Sequence, residues 1–184
     1  MMKDAVIVST ARTPIGKAYR GALNNMSGAS LGAVPVTEAV RRAGIELAEV
    51  DDCIFGCGLQ QGTTGMNVAR QIALRAGLPI SVSGMTLDRQ CSSGLMAIAT
   101  AAKQILHDGQ SVAVAGGIES ISLVQNEHMN QHRVVDKALV DIAPAIYMPM
   151  LETAETVANR YAVSREAQDE YCLLYTSPSP RDRG

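Results

Sequence analysis

Residues 87–95, Leu-Asp-Arg-Gln-Cys-Ser-Ser-Gly-Leu, decide the fold of this chain, because an apolar strand pattern gives way there to a helical pattern. The strand pattern covers residues 83–87. The helical pattern covers residues 92–107, with apolar side chains at steps of three and four. The stretch therefore predicts a strand followed closely by a helix, with Cys91 at the junction between them.

The same alternation of strand and helix occurs on both sides of this junction. Strands are predicted at residues 5–9, 52–56, 83–87 and 112–115. Helices are predicted at residues 30–43, 66–76 and 92–107. A glycine that favours a left-handed cap follows each helix, namely Gly44, Gly77 and Gly109. This order of elements favours an α/β fold with a mostly parallel sheet.

The pattern changes after residue 120. Residues 125–145 are polar and weakly periodic, and Ser164 is placed to cap a helix that begins at Arg165. Two prolines and a change of composition near the end are typical of a non-native extension. We expect an α/β domain, the start of a second domain and a tail, at residues 1–120, 121–171 and 172–184.

The composition indicates one globular domain with a substantial buried core. The 184 residues are 47% hydrophobic and 18% charged, with a net charge of -2. No basic cluster favours nucleic acid or an anionic membrane, so a small-molecule partner is expected. The first residues contain no apolar run long enough for a signal peptide or a membrane span, which favours the cytoplasm. Reduced thiols are expected for the four cysteines.

Cys91 is the strongest candidate for chemistry. A thiol at a helix start lies beside unpaired backbone N–H groups and the positive end of the helix dipole, and both stabilise a thiolate. Arg89 would add to this effect if its side chain turned towards the sulfur, whereas the carboxylate of Asp88 favours the neutral thiol. These residues leave two interpretations open, a reactive nucleophile and an inert core thiol.

Other patterns in the chain give weaker indications. The glycines of residues 56–62, Gly-Cys-Gly-Leu-Gln-Gln-Gly, miss the dinucleotide-binding spacing by one residue, so a turn is favoured. Cys53 and Cys57 lack a second ligand pair and would stand roughly 13 Å apart on a strand, which disfavours a metal site. Solvent-exposed positions are expected for the three histidines, His107, His128 and His132.

Residues 89–95 resemble the active-site signature of the thiolases. Residues 12–16 (Arg-Thr-Pro-Ile-Gly), 67–71 (Asn-Val-Ala-Arg-Gln) and 115–120 (Ala-Gly-Gly-Ile-Glu-Ser) also resemble thiolase motifs, and their order and approximate spacing are those of the family. With further similarity at residues 147–155 and 164–169, the resemblance extends from about residue 4 to residue 171. It is greatest to the acetyl-CoA acetyltransferase branch, with a longer-chain 3-oxoacyl-CoA thiolase as the alternative.

The resemblance implies a thiolase-like α/β fold, here the amino-terminal half of the αβαβα layered architecture with the start of its loop domain. It implies that Cys91 attacks an acyl-CoA thioester to form an acyl-enzyme, and that a second CoA thioester or free CoA then takes the acyl group. The backbone N–H group of Cys91 is expected to help form an oxyanion hole. Met150 is expected to line the acyl pocket, with ordinary core packing as the alternative.

The family also implies dimers or tetramers, CoA thioesters as substrates, no cofactor, and a role in fatty acid metabolism. Asp88 stands where many thiolases carry asparagine. The family's histidine base, second cysteine and water-binding asparagine come from carboxy-terminal motifs that these 184 residues do not contain. Since general acid–base assistance is worth ~10²–10⁴ in rate, the chain alone is expected to be inactive. The alternatives are a non-catalytic thiolase-like binding protein and a truncated product without function.

Overall fold

A three-stranded parallel sheet forms the centre of the molecule. The computed structural model describes residues 4–176, and side chains as far as residue 172. The sheet has the order β2-β1-β3, from strands β1 (Asp52–Gly56), β2 (Ser83–Leu87) and β3 (Ala113–Gly117). Each residue of β1 pairs with one residue in each neighbouring strand. The strands predicted at residues 52–56 and 83–87 are confirmed, and the one predicted at 112–115 lies one to two residues later.

Helices follow the strands in the predicted alternation. They are α1 (Gly28–Ala43), α2 (Val68–Arg75), α3 (Ser93–His107) and the short α4 (Ile121–Val124). The glycines after the three predicted helices have φ angles of 69°, 87° and 81°, so the predicted left-handed conformation is confirmed. Helix α2 starts later than predicted because Met66 and Asn67 both have positive φ angles. The Asn67 side chain instead caps the helix by accepting a hydrogen bond from the backbone N–H of Arg70.

The side chains of β1 alternate between two layers of helices. Cys53 and Phe55 belong to a buried apolar cluster that contains residues of α1 and α2. Ile54 faces the other way and packs with Ala97 and Ala101 of α3. The sheet therefore lies between α1 and α2 on one face and α3 on the other. All five residues of β1 are buried, as expected of the central strand in a three-layer α/β arrangement.

The strand predicted at residues 5–9 is wrong. These residues have no regular secondary structure, and the side chains of Val6, Ile7 and Val8 are 70–74% exposed. A cavity of about 850 Å³ lies between this segment and β3. An apolar β-branched sequence forms a strand only where a neighbour satisfies its backbone hydrogen bonds, and no strand lies beside this segment within residues 4–176.

Residues from Gln131 onward form a second compact unit, separate from the unit that ends at Asn130. It contains α5 (Lys137–Ile142), α6 (Met150–Arg160) and α7 (Arg165–Thr176). The predicted cap of α7 is confirmed, because Ser164 Oγ accepts a hydrogen bond of 3.2 Å from the backbone N–H of Ala167.

The tail predicted at residues 172–184 falls only partly within the structure. Helix α7 continues through its first residues as far as Thr176, and residues 177–184 lie outside the described residues. No helix within residues 4–176 combines the length and apolar content that are needed to cross a membrane.

Candidate active site

Glycines let α3 approach the carboxyl ends of β1 and β3. A Cβ atom on Gly56 would lie 2.0 Å from the carbonyl carbon of Ser93, and a Cβ atom on Gly117 would lie 3.2 Å from the Cα atom of Gly94. Any side chain at Gly56 would push the start of α3 away from the sheet. This packing holds the start of the helix at the carboxyl edge of the sheet, where ligands bind in open α/β folds.

Cys91 lies in the tight turn that connects β2 to α3. Its thiol is exposed, and α3 begins two residues later with Ser92 as the N-cap residue. Gln90, directly before the cysteine, has a φ angle of 50°, a left-handed conformation that is uncommon for a residue with a side chain. Cys91 is therefore exposed at a helix start and does not lie in the core.

Backbone and side-chain hydrogen bonds hold this turn. The backbone N–H of Ser93 donates to the carbonyl of Gln90 at 3.0 Å. Ser93 Oγ accepts from the backbone N–H of Arg89 at 2.8 Å and donates to the carbonyl of Gln90 at 2.6 Å. Asp88 Oδ1 accepts from the backbone N–H of Gln90 at 2.6 Å. The Asp88 carboxylate is therefore used by the turn itself.

The loops after β1 and β3 lie next to this turn. Glu119 follows β3, and its Oε2 accepts a hydrogen bond of 2.9 Å from the backbone N–H of Gly58, which follows β1. A Cβ atom on Gly58 would lie 3.2 Å from Glu119 Oε2 and 3.7 Å from the carbonyl oxygen of Gln90. The segments that follow all three strands therefore meet at one edge of the sheet, as the parallel topology requires.

The two cysteines of β1 and its following loop differ from Cys91. Burial raises the pKa of the Cys53 thiol to about 12, with a further contribution from the charge of Asp52. Burial also raises the pKa of Cys57, and the nearby carboxylate of Glu119 acts in the same direction. Both thiols are fully buried and uncharged at neutral pH, so neither can act as a nucleophile or an accessible metal ligand.

The remaining candidate residues are Met150 and the three histidines. Met150 is the first residue of α6 in the second unit, and its side chain is 71% exposed. His128 lies beside Glu127 with its side chain 84% exposed. His107 is the last residue of α3 and is exposed, as is His132.

Ser93 and Glu119 contribute to the site, although no pattern in the sequence assigns either of them a role. Both stand inside stretches that resemble thiolase motifs, and that was the only signal available. Their partners are backbone atoms of the cysteine turn and of a loop that follows another strand. Residue type alone does not reveal such partners.

These features define a three-layer α/β protein that presents an exposed thiol between a strand and a helix at the carboxyl edge of a parallel sheet. The model of the family described as "Thiolase, N-terminal domain" matches residues 5–175 of the chain. The chain belongs to the thiolase family, and the thiolase-like fold predicted from its motifs is confirmed.

Individual proteins to which this chain is similar also carry thiolase or acetyltransferase names. A 3-ketoacyl-CoA thiolase of Bacillus subtilis strain 168 is 46% identical over 94% of this chain and 44% of its own length. The crystal structure of the Bacillus anthracis acetyl-CoA acetyltransferase has a TM-score of 0.79 at 38% identity, over 94% of this chain and 45% of its own.

A third relative, the Acat5 thiolase from Ascaris suum, has a crystal structure in complex with coenzyme A. Its TM-score is 0.76 at 30% identity, over 94% of this chain and 47% of its own length. The present chain thus spans about half the length of the relatives that it matches.

Proposed function

We propose that Cys91 accepts an acyl group from an acyl-CoA thioester and that this step is part of a thiolase reaction. The thiolate attacks the thioester carbonyl carbon, so that a new carbon–sulfur bond forms at Cys91 and the bond to the CoA sulfur breaks. The proton of the Cys91 thiol ends on the released CoA thiol. The observation that carries this proposal is the exposed thiol at the start of α3, within the family's signature stretch.

The local structure supports each part of this step. The helix dipole and the N–H groups of the first turn favour a negative charge at the start of α3. The same partial charges would stabilise the oxyanion that forms on the thioester carbonyl oxygen, with the backbone N–H of Cys91 as one donor. The small residues Ser92 and Gly94 leave space for a substrate beside the sulfur.

We assign no described residue as the general base for the second half of the reaction. The loop carboxylates of Asp88 and Glu119 already accept hydrogen bonds from backbone N–H groups. General acid–base catalysis typically contributes ~10²–10⁴ in rate. We therefore propose that the chain by itself forms the acyl-enzyme slowly and does not turn over, the remaining groups being supplied by carboxy-terminal thiolase motifs.

The further assignments are part of the same proposal. The substrates are CoA thioesters, no cofactor is needed, and Met150 lines the acyl pocket of the complete enzyme. We place the enzyme in the cytoplasm, in fatty acid metabolism, as a homodimer or homotetramer. The acetyl-CoA acetyltransferase branch is favoured by the motifs, and a 3-ketoacyl-CoA thiolase is the second candidate because the Bacillus subtilis relative carries that name.

The acylation step is tested by incubating the chain with acetyl-CoA and mapping acetyl groups on its cysteine peptides by mass spectrometry. We expect an adduct on the peptide that contains Cys91 and none after Cys91→Ser. Cys172→Ser is the matched control, since that thiol is also exposed. An acetyl group on Cys172 alone, or on no peptide, would contradict the proposal. Binding of CoA without any adduct would favour a non-catalytic binding protein.

A second experiment addresses turnover. The DNA downstream of the codon for Tyr171 is sequenced in every frame and searched for the histidine and cysteine motifs of the family. If they occur, a chain extended through them should form acetoacetyl-CoA from acetyl-CoA, and the 184-residue chain should not. Equal turnover by the two chains would contradict the proposed division of the active site.

A further inference from the structure

We propose, on the basis of the function proposed for Cys91, that Ser93 is a positioning residue which acts with Asp88 to hold the turn that presents the nucleophile. Neither side chain is assigned to contact the substrate. Their action is through Gln90, the residue that directly precedes Cys91 in the chain.

The Ser93 hydroxyl connects both sides of the turn. Its oxygen accepts from the backbone N–H of Arg89 at 2.8 Å, and its hydrogen is donated to the carbonyl oxygen of Gln90 at 2.6 Å. Ser93 is only 4% exposed, so water has little access to the place of its hydroxyl, although Arg89 and Gln90 themselves are exposed. Loss of the hydroxyl would remove the partner of the Arg89 N–H and leave the Gln90 carbonyl with only the backbone N–H of Ser93 as donor.

Ser93 is itself fixed by the sheet. Its carbonyl carbon and oxygen lie 2.0 and 2.2 Å from the position that a Cβ atom on Gly56 would occupy, which means that helix and strand are in direct backbone contact. The first residue of α3 therefore cannot shift towards β1. This contact makes Ser93 a rigid reference point from which the turn containing Cys91 is held.

Asp88 bonds to the backbone N–H of Gln90, whereas Ser93 bonds to its carbonyl. Its Oδ1 atom accepts a hydrogen bond of 2.6 Å from the backbone N–H of Gln90, and the same atom lies 3.4 Å from Ser93 Oγ. Gln90 has a φ angle of 50°, a conformation that non-glycine residues adopt only where their surroundings enforce it. The two side chains bond to both the N–H and the carbonyl of Gln90 and so stabilise this conformation.

Ser92 provides a matched control beside Ser93. Its hydroxyl also donates to a backbone carbonyl of the turn, that of Arg89, at 2.9 Å. Ser92 is exposed, however, and makes no side-chain bond to Gln90 among the described residues. Water can replace its hydrogen bond, so its removal should have little effect on Cys91.

The test compares how fast each cysteine of the 184-residue chain reacts with iodoacetamide, measured peptide by peptide under native conditions. Cys91 is the reporter, and exposed Cys172 is the reference in the same molecule. Cys53 and Cys57 are buried, so they report any loss of the fold. A variant that only loosens the structure would expose these two thiols, whereas a change of positioning alone would not.

Ser93→Ala is expected to lower the reaction rate of Cys91, relative to Cys172, about fivefold, as the loss of a part-buried hydrogen bond suggests. Cys53 and Cys57 should stay protected. Ser92→Ala should change the same ratio less than about twofold. The inference is overturned if Ser93→Ala leaves the ratio unchanged or raises it while the fold is intact.

A pair of variants at exposed Asp88 decides the matter if Ser93→Ala does not fold. Asp88→Asn and Asp88→Ala both remove the negative charge, but only Asn keeps a side-chain oxygen that can accept from Gln90. Cys91 should therefore react about threefold faster in Asp88→Asn than in Asp88→Ala, and equal rates would overturn the inference. Absence of acetylation of the unmodified chain by acetyl-CoA would reject the proposed function instead, and these alkylation ratios would still test the positioning of Cys91.

Discussion

The two units of this protein both contain helices, but these helices are stabilised in different ways. Among the residues whose burial the structure describes, every buried hydrophobic residue lies between Ala33 and Val124, in the unit that contains the sheet. Residues 131–172 form three helices in which no residue is buried. The comparison shows that an amphipathic sequence specifies a helix locally, and that a packed core requires a second apolar surface to cover the helix.

Local interactions are the main support of the second unit. Asp136 caps α5 by accepting from the backbone N–H groups of Ala138 and Leu139. Arg165 and Asp169 form an ion pair of 2.9 Å along α7. Caps are worth about 1 kcal/mol and exposed ion pairs less than that, so these helices should be far less stable than the α/β unit.

The largest effect that would test this comparison is a pair of truncations. Ile54→Ala removes a side chain that is 0% exposed and packs against α3, so the free energy of unfolding should fall by about 2–5 kcal/mol. Leu151→Ala removes a side chain that is 84% exposed and should change it by about 0.5 kcal/mol or less. Urea unfolding followed by circular dichroism measures both. Similar losses for the two variants would show that Leu151 has a buried environment in solution.

A smaller effect is expected at the cap of α7. Ser164→Ala removes the acceptor for the N–H of Ala167 and should destabilise this helix by about 1 kcal/mol. Amide hydrogen exchange within α7 is the appropriate measurement, because global unfolding reports mainly on the unit with the core. Ser164→Asp is the control, since aspartate is also a good N-cap residue. If amide exchange in α7 is as fast in Ser164→Asp as in Ser164→Ala, the proposed cap is contradicted.

The smallest effect concerns pH and the surface of α1. Hydrogen bonds from Arg41 and then Arg42 lower the pKa of Glu38 from 4.5 to about 2. Because the folded-state pKa is depressed, the stabilisation by Glu38 is fully present above about pH 4.5 and is lost as the pH falls towards 2. An NMR titration of the Glu38 carboxyl carbon should give a midpoint near 2. A midpoint near 4.5 would mean that the ion pairs of Glu38 with Arg41 and Arg42 do not persist in solution. In that case Glu38→Gln would not alter the free energy of unfolding at neutral pH.

Most of what could be predicted about the fold came from the periodicity of apolar residues and from the residues that cap helix ends. The pattern of residues 92–107 predicted α3 to within one residue, because one face of that helix packs on a sheet and must be apolar. Gly109 and Ser164 were correctly identified as end signals, since caps depend on the chemistry of one or two neighbouring residues.

The failures have a common physical cause. The sequence of residues 5–9 has the same apolar, β-branched character as a strand, and only the absence of a neighbouring strand within the described structure keeps it out of the sheet. Met66 and Asn67 have positive φ angles that their residue types do not require. The first outcome depends on a partner strand far away in the chain. The second is accompanied by hydrogen bonds between the Asn67 side chain and Gly84 and Thr86 of β2.

At the candidate site, too, some features follow from the local sequence and others only from contacts between distant segments. The sequence by itself determined that Cys91 stands where a strand gives way to a helix, because hydrophobic period and helix-end chemistry are local properties. The bonds of Asp88 and Ser93 to Gln90 are also local, since they join residues two and three positions apart. Only the tertiary structure decided that Glu119, which follows β3, accepts from the N–H of Gly58, which follows β1. That contact, and the close approach of backbones at Gly56, join segments far apart in the chain, which no local pattern of residues encodes.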